Sequence, residues 1–124
     1  MTYFILLAMI FMHIVDDYCL QQGCLASLKQ RSWWEKNAPD YLYKDDYLVA
    51  LAMHSMSWSF MVLLPIAIFY GFNVDWLFFV VFAINAVIHG VVDDLKANKR
   101  KINLCADQSF HMVQIFITAR ILLF

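Results

Sequence analysis

The sequence predicts an all-α integral membrane protein, a four-helix bundle whose four histidines lie at a common depth. Three observations support this prediction. First, 63% of the 124 residues are hydrophobic and the mean hydropathy is +0.63, whereas roughly 45–50% of residues in a soluble domain are apolar. Second, the apolar residues form four segments of about the length that crosses a bilayer, about 20 residues each. Third, every histidine lies inside one of these segments.

The four predicted spans form one transmembrane domain over residues 1–124, and they cover residues 3–20, 47–70, 76–95 and 103–124. No lysine or arginine precedes the first span, so we expect it to be retained rather than cleaved as a signal peptide.

The connection between the first two spans, residues 21–46, is polar and contains Trp33 and Trp34 among charged residues. Such a tryptophan pair favours a short helix at the level of the lipid headgroups. A solvated loop is the alternative. The sequence leaves open whether residues 25–38 cover a site as a lid.

Basic residues predict the orientation, because cytoplasmic loops carry an excess of lysine and arginine. They are concentrated in two loops, 21–46 and 96–102, as Lys29, Arg31, Lys36, Lys44, Lys96, Lys99, Arg100 and Lys101. We therefore expect a bacterial inner (cytoplasmic) membrane protein with both loops cytoplasmic and both termini on the opposite side.

Histidine and aspartate recur four residues apart, which places each pair on one helix face. The pairs are His13 with Asp17, His89 with Asp93, and Asp107 with His111, and His54 is the remaining histidine. Each histidine lies about seven residues from a cytoplasmic span end, and therefore roughly 10 Å inside at 1.5 Å per residue. Antiparallel spans should bring all four to one level.

This layer is a candidate metal site, because ionisable groups inside a membrane are costly and normally face partners in the bundle interior. The candidate ligands are His13, Asp17, His54, His89, Asp93, Asp107 and His111. We expect one or two divalent ions, zinc ahead of manganese or iron. The three cysteines lack metal-pair spacing and are expected to be reduced thiols. A metal-free polar core or a proton relay is the alternative.

The motifs H-I-V-D-D-Y-C-L-Q at 13–21, a histidine in the second span, H-G-V-V-D-D-L-K at 89–96 and D-Q-S-F-H at 107–111 carry a resemblance. The chain resembles an uncharacterised family of small bacterial and phage membrane proteins with the patterns H-x3-D-(F/Y)-x2-Q, H, H-x3-D-x2-K and D-Q-x2-H. More distantly, it is similar to membrane-bound metal-dependent hydrolases. The resemblance adds Tyr18, Gln21, Lys96 and Gln108 to the site, whereas Asp16 and Asp94 lie outside the family pattern.

The first functional hypothesis is a membrane-embedded metal-dependent hydrolase of a lipid or lipid-linked ester or phosphoester. Asp16 or Asp94 is then a candidate general base, Gln21 and Gln108 are candidates for positioning water or substrate, and Lys96 for meeting an anionic headgroup. A site roughly 10 Å deep favours a lipid substrate.

Two further hypotheses remain open. The same groups would suit an ion- or proton-conducting or carrier bundle, although the outer halves of the spans offer few polar residues. A phage or bacterial accessory protein with a structural polar core is the third. The expected partner is the lipid bilayer and not nucleic acid, and the sequence leaves a homo-oligomer open.

Overall fold

The chain is all-helical in a computed structural model that describes all 124 residues. The helices are α1 (Thr2–Val15), α2 (Cys24–Leu28), α3 (Arg31–Asn37), α4 (Asp46–Phe69), α5 (Trp76–Ala97) and α6 (Leu104–Leu123). A π-helical stretch, Asp16–Leu20, continues α1, and a 3-10 turn, Tyr41–Tyr43, precedes α4. The all-α prediction is confirmed.

Three helical segments are long and apolar enough to cross a membrane, namely Thr2–Leu20, Tyr41–Phe69 and Trp76–Ala97. They correspond to the first three predicted spans. The fourth long helix, α6, has 20 residues but does not belong to this group, because its polar residues lower its hydropathy.

The four long helices pack side by side: α4 lies against α1 and α5, and α6 lies against α5 and α1. At the end away from residues 21–46, their interior is an apolar core of Ile5, Met9, Trp58, Val62, Ile66, Ile115 and Ala119. Most of the buried polar residues lie toward the other end of the helices.

Burial in this molecule does not separate apolar from polar residues in the way it does in a soluble domain. Of the 26 buried residues, 13 are polar or charged. Large apolar side chains such as Phe60, Phe79 and Phe116 are exposed on the outside of the long helices. An apolar exterior around a polar interior is what lipid contact requires, since buried polar groups then find partners within the protein.

Helices α4 and α5 approach each other closely at Gly90. A Cβ atom at this position would lie 2.8 Å from Oγ of Ser55, which donates a 2.7 Å hydrogen bond to the carbonyl oxygen of Leu51. The missing side chain therefore lets the two helices meet where His54 and His89, the neighbours of these two residues, face each other.

The predicted polar connection between the first two spans is partly helical, and α2 and α3 pack on α4. The predicted short helix around Trp33 and Trp34 is α3. Asn98, just after α5, fastens the connection: its Oδ1 accepts a 2.8 Å hydrogen bond from the Arg31 backbone N–H, and its Nδ2 donates to the carbonyl oxygen of Lys29. Residues 21–46 are thereby folded over the end of the helices that carries the histidines.

Candidate metal centre

All four histidines meet in the interior, and none is more than 2% exposed. We call His13, His54, His89 and His111 the histidine cluster. The ring centroids of His89 and His111 are 4.2 Å apart, those of His54 and His89 are 5.0 Å apart, and those of His13 and His111 are 5.6 Å apart. Each histidine comes from a different long helix, and the closest pair, His89 and His111, comes from α5 and α6.

The i, i+4 pairs bring carboxylates into the same place. Asp93 lies on the buried face of α5 with His89, and Asp107 lies on the buried face of α6 with His111. Asp17 follows His13 by one turn, with 3.6 Å between its Oδ2 and Nδ1 of His13. The three predicted pairs therefore face one interior.

His54 has more polar neighbours than one imidazole nitrogen can satisfy. Its Nε2 lies 2.7 Å from Oδ2 of Asp93 and 3.0 Å from Nε2 of His89. The Lys29 ammonium also lies 3.0 Å from it. A neutral imidazole nitrogen makes one directed hydrogen bond, either as donor or as acceptor. Such crowding is typical of ligand atoms around one cation, which stand about 3.3 Å apart when each is about 2.0–2.1 Å from zinc.

Two groups of three side chains place their ligand atoms within 4.8 Å of one another. One group is His89, Asp93 and His111, and all three of its residues are buried; the other is Asp17, His54 and His89. Three protein donors and an open position for water are typical of catalytic zinc sites. The first group is the stronger candidate because all three of its residues are buried.

Several buried atoms in the same region have no hydrogen-bond partner. They are Asp17 Oδ1, His54 Nδ1, His89 Nδ1, Asp107 Oδ1 and both ring nitrogens of His111. Nε2 of His111 lies 3.4 Å from Oδ1 of Asp107 and 3.6 Å from Oδ1 of Asp93 without forming a hydrogen bond to either. Leaving buried polar atoms unpaired costs about 1–3 kcal/mol each, so these atoms fit a bound cation and water. The donor set of imidazole and carboxylate suits zinc, manganese or iron.

His13 differs from the other three histidines because protein groups engage both of its nitrogens. The indole N–H of Trp58 donates to Nδ1 over 2.7 Å, and Nε2 lies 3.0 Å from Oε1 of Gln108. The amide nitrogen of Gln108 donates to Oδ2 of Asp107. In this arrangement His13 has no free lone pair, and with Gln108 it forms a support for Asp107.

Trp58 is a residue of this site that sequence reasoning missed. Its ring also stacks on that of His89, with centroids 4.3 Å apart and an interplanar angle of 19°. In the sequence, a tryptophan in an apolar span is indistinguishable from an ordinary core residue. The one signal that could have assigned Trp58 to the site is its position four residues after His54, on the same helix face.

Lys29 is the second residue that sequence reasoning missed. Its ammonium donates to Oδ2 of Asp93 over 2.6 Å, in addition to its contact with His54. Lys96, which was predicted, donates to Oδ2 of Asp107 over the same distance. Each of the two carboxylates is therefore bound by its own lysine from the loop end of the helices.

The remaining predicted residues lie at the border of the site. Asp16 is fully buried and accepts a 2.7 Å hydrogen bond from Oγ of Ser57 and another from Nε2 of Gln21. The same Gln21 atom donates to the carbonyl oxygen of His54. Asp16 and Gln21 thus hold the end of α1 against α4, and their hydrogen bonds go to Ser57, to each other and to the His54 backbone rather than to an imidazole nitrogen.

Asp94, which was predicted as a candidate base, lies outside the cluster. Its Oδ2 is 2.8 Å from the exposed ammonium of Lys99, and its Oδ1 accepts from Asn98. The hydrogen bond to Asp94 raises the pKa of Lys99 above its ordinary value. The three cysteines are free and exposed.

A short polar network continues from the cluster toward the apolar core. Nδ2 of Asn85 donates to Oγ1 of Thr118 over 2.8 Å, and Nε2 of Gln114 donates to the carbonyl oxygen of Asn85 over 2.7 Å. These residues lie about one to two turns beyond His89 and His111. Ile115 and Ala119, which directly follow Gln114 and Thr118 along α6, belong to the apolar core.

One protein-family model matches the chain over residues 5–123, and its description is protein of unknown function (DUF3307). The match covers the histidine cluster and all three aspartates beside it. No curated protein and no solved structure matches the chain.

Proposed function

The chain belongs to the DUF3307 family, and we propose that it is a membrane-embedded, metal-dependent hydrolase. It acts on a lipid or lipid-linked ester or phosphoester from the cytoplasmic leaflet of a bacterial inner membrane. The observation that carries the proposal is the convergence of His54, His89, Asp93 and His111 in a buried interior, with ligand atoms crowded beyond what hydrogen bonds satisfy.

In this proposal α6 is a fourth span, and the fold is a four-helix membrane bundle. Its 20 residues are about 30 Å long, which is the thickness of a hydrocarbon core. Its polar residues Asp107, His111 and Gln114 are buried, whereas Phe110 and Phe116 are exposed. The basic loops favour a cytoplasmic location for residues 21–46 and 96–102, with both termini on the other side.

We assign the metal ligands to His89, Asp93 and His111, with His54 beside them, and we propose one or two divalent ions, zinc ahead of manganese or iron. An ion there would lower the pKa of a bound water and polarise the ester oxygen. His13 takes a supporting position, because both of its nitrogens have protein partners.

The reaction is the addition of water to an ester. The water oxygen adds to phosphorus or to the carbonyl carbon, the bond to the alcohol oxygen breaks, and the alcohol leaves with a proton. Asp107 is the carboxylate placed to take the proton from water, because its Oδ1 is buried beside His111 and has no partner. Asp16 and Asp94 have protein partners on both oxygens, and the proposal gives them no catalytic part.

The second candidate is an ion or proton carrier, and the network of Asn85, Gln114 and Thr118 favours it. A conducting path needs polar groups as far as the opposite face. The apolar core includes Ile5, Val62 and Ile66, and this core supports a site open to one side only.

The test is lipid turnover by the detergent-purified protein in mixed micelles, beside ion flux in liposomes. We expect turnover of a lipid ester or phosphoester, and we expect a chelator to abolish this turnover and added metal to restore it. The turnover should be lost in His111→Ala and retained in Asp45→Asn, which changes an exposed residue outside the site. Ion flux without turnover would contradict the hydrolase and support the carrier. Absence of both activities from folded, metal-loaded protein would support the accessory protein.

A further inference from the structure

We propose that the substrate carries a phosphate group, and that Lys29 and Lys96 are the two side chains that bind it. This inference rests on the proposed metal site and narrows the proposed substrate from esters in general to phosphate esters. Two lysines from different parts of the chain enter one polar interior.

Of the nine basic residues, Lys29 and Lys96 are the two whose ammonium groups contact the carboxylates beside the histidine cluster. The Lys29 side chain is 17% exposed and the Lys96 side chain 36% exposed. Lys29 follows α2 and Lys96 lies near the end of α5. Both therefore approach from the loop end, where a lipid headgroup would enter.

The charges around His111 favour an anionic ligand. Asp93 and Asp107 are each balanced by their own lysine, and Asp17 adds one further negative charge beside His13. Counting these three carboxylates and two lysines, and leaving out Asp16, whose oxygens bond to Ser57 and Gln21 at the border of the site, a divalent cation would leave one net positive charge. Since an uncompensated buried charge is costly, a ligand with negative charge is favoured over a neutral carboxylic ester.

Metal binding would also release Lys29. Its ammonium occupies the side of Asp93 and His54 that a cation would take, at 2.6 Å from Oδ2 and 3.0 Å from Nε2. A cation on these atoms would displace the ammonium, while Asn98 would keep the Lys29 backbone beside the site. The displaced ammonium would then be free to donate to phosphate oxygens.

The chemistry of the two groups agrees with this assignment. Lysine ammonium is a compact point charge with three donors and is a common phosphate ligand. In hydrolysis of a phosphate ester, the water oxygen bonds to phosphorus, the phosphorus–oxygen bond to the alcohol breaks, and the alcohol receives a proton. Lys29 and Lys96 would balance the charge on the phosphate oxygens throughout this step.

The test compares phosphate binding in four variants of the metal-loaded, full-length protein: Lys29→Gln, Lys96→Gln, Lys29→Arg and, as control, Lys101→Gln in the exposed basic loop. The probes are inorganic phosphate, measured by calorimetry in detergent, and phosphatidic acid in phosphatidylcholine nanodiscs. The first probe reports a free phosphate and the second a lipid headgroup. Metal content is measured on every sample.

We expect each glutamine variant at Lys29 or Lys96 to retain metal and to weaken binding of phosphatidic acid roughly tenfold to a hundredfold, the range for a charged hydrogen bond. Lys29→Arg should lose less affinity than Lys29→Gln, and Lys101→Gln should bind as the wild type does. Inorganic phosphate should bind more weakly than the lipid, and the variants should rank in the same order of affinity for it. Tighter binding of inorganic phosphate would assign the site to a free phosphate instead.

The two proposals fail in different ways. Metal-loaded wild type that binds neither probe, or variants that bind both probes as well as the control, would overturn the phosphate assignment and leave the metal site intact. Wild-type protein without metal would overturn both.

Discussion

The indole N–H of Trp58 donates a 2.7 Å hydrogen bond to Nδ1 of His13. An indole nitrogen only donates, so Nδ1 of His13 is the acceptor and the proton lies on Nε2, where it is donated to Oε1 of Gln108. Gln108 in turn donates to Asp107. A tryptophan in the apolar part of α4 thus fixes, through His13 and Gln108, the orientation of a carboxylate that faces the candidate metal centre.

Replacing Trp58 by phenylalanine should destabilise the protein. Phenylalanine keeps one aromatic ring but leaves a cavity at this fully buried position, and the buried Nδ1 of His13 also loses its donor, which costs about 1–3 kcal/mol. The measurement is chemical unfolding in detergent, with Trp76→Phe as the control because Trp76 is 74% exposed. Equal midpoints for the two variants would show that the hydrogen bond does not contribute.

The end of α1 should depend on Ser57. Its hydroxyl donates to the fully buried Asp16 over 2.7 Å, and hydrogen bonds to charged groups contribute about 1.5–3 kcal/mol. Ser57→Ala should therefore lower the unfolding free energy by about that amount. Ser109→Ala, which removes an exposed hydroxyl bonded to its own helix, should change stability by less than about 0.5 kcal/mol. An unchanged unfolding free energy in Ser57→Ala would mean that other groups hold Asp16.

Lys29→Met should destabilise the metal-free protein more than the metal-loaded one. Without the ammonium, the Asp93 carboxylate, which is 4% exposed, loses its counter-charge, and breaking a buried pair costs roughly 3–5 kcal/mol. A bound divalent ion supplies that charge instead, so the loss should shrink when metal is added. Thermal unfolding with and without metal measures the difference, with Lys101→Met as the control. If added metal does not reduce the loss of stability in Lys29→Met, the ammonium and the ion do not occupy the same position beside Asp93.

The fourth span has its own test in cysteine labelling. The test uses three proteins that each contain one cysteine: Asn73→Cys or Phe124→Cys in a cysteine-free background, and a protein that keeps only the native Cys24. The first two should react with a membrane-impermeant maleimide from one side of the membrane, and Cys24 should react from the other. If α6 does not cross, Phe124→Cys will be labelled from the side of Cys24. Fluorescence of the labelled protein from intact cells and from inverted vesicles reads out the result.

Helical periodicity and the order of the apolar segments were sufficient to predict that the four histidines lie close together. Spacing of four residues placed Asp93 with His89. The same periodicity turns Asp94 by about 100° from Asp93, but the sequence analysis still kept Asp94 as a candidate base, whereas in the structure it pairs with Lys99. The antiparallel order of the segments placed His54 opposite His89. Residue spacing and segment order can be read directly from the sequence. Because an ionisable side chain is costly inside a bilayer unless it has partners, the four histidines were expected to face one another.

Long-range contacts of irregular segments were not predictable in the same way. Lys29 directly follows the five-residue helix α2 in a polar connection. In such a segment no periodicity indicates which way the chain turns. Its position depends on Asn98 from another loop. The π-helical stretch at Asp16–Leu20 likewise has no sequence signal, and the supporting part of His13 follows from Trp58 and Gln108, which two other helices supply.

Adjacent aspartates give the most direct test of the metal centre. Asp93 lies among the histidines, whereas Asp94 pairs with Lys99 outside them. The measurement is the metal content of detergent-purified wild type, Asp93→Asn and Asp94→Asn after identical loading and washing. We predict stoichiometric divalent metal in the wild type and in Asp94→Asn, and loss of it in Asp93→Asn. Metal-free wild type, or equal metal in the two variants, would contradict the site.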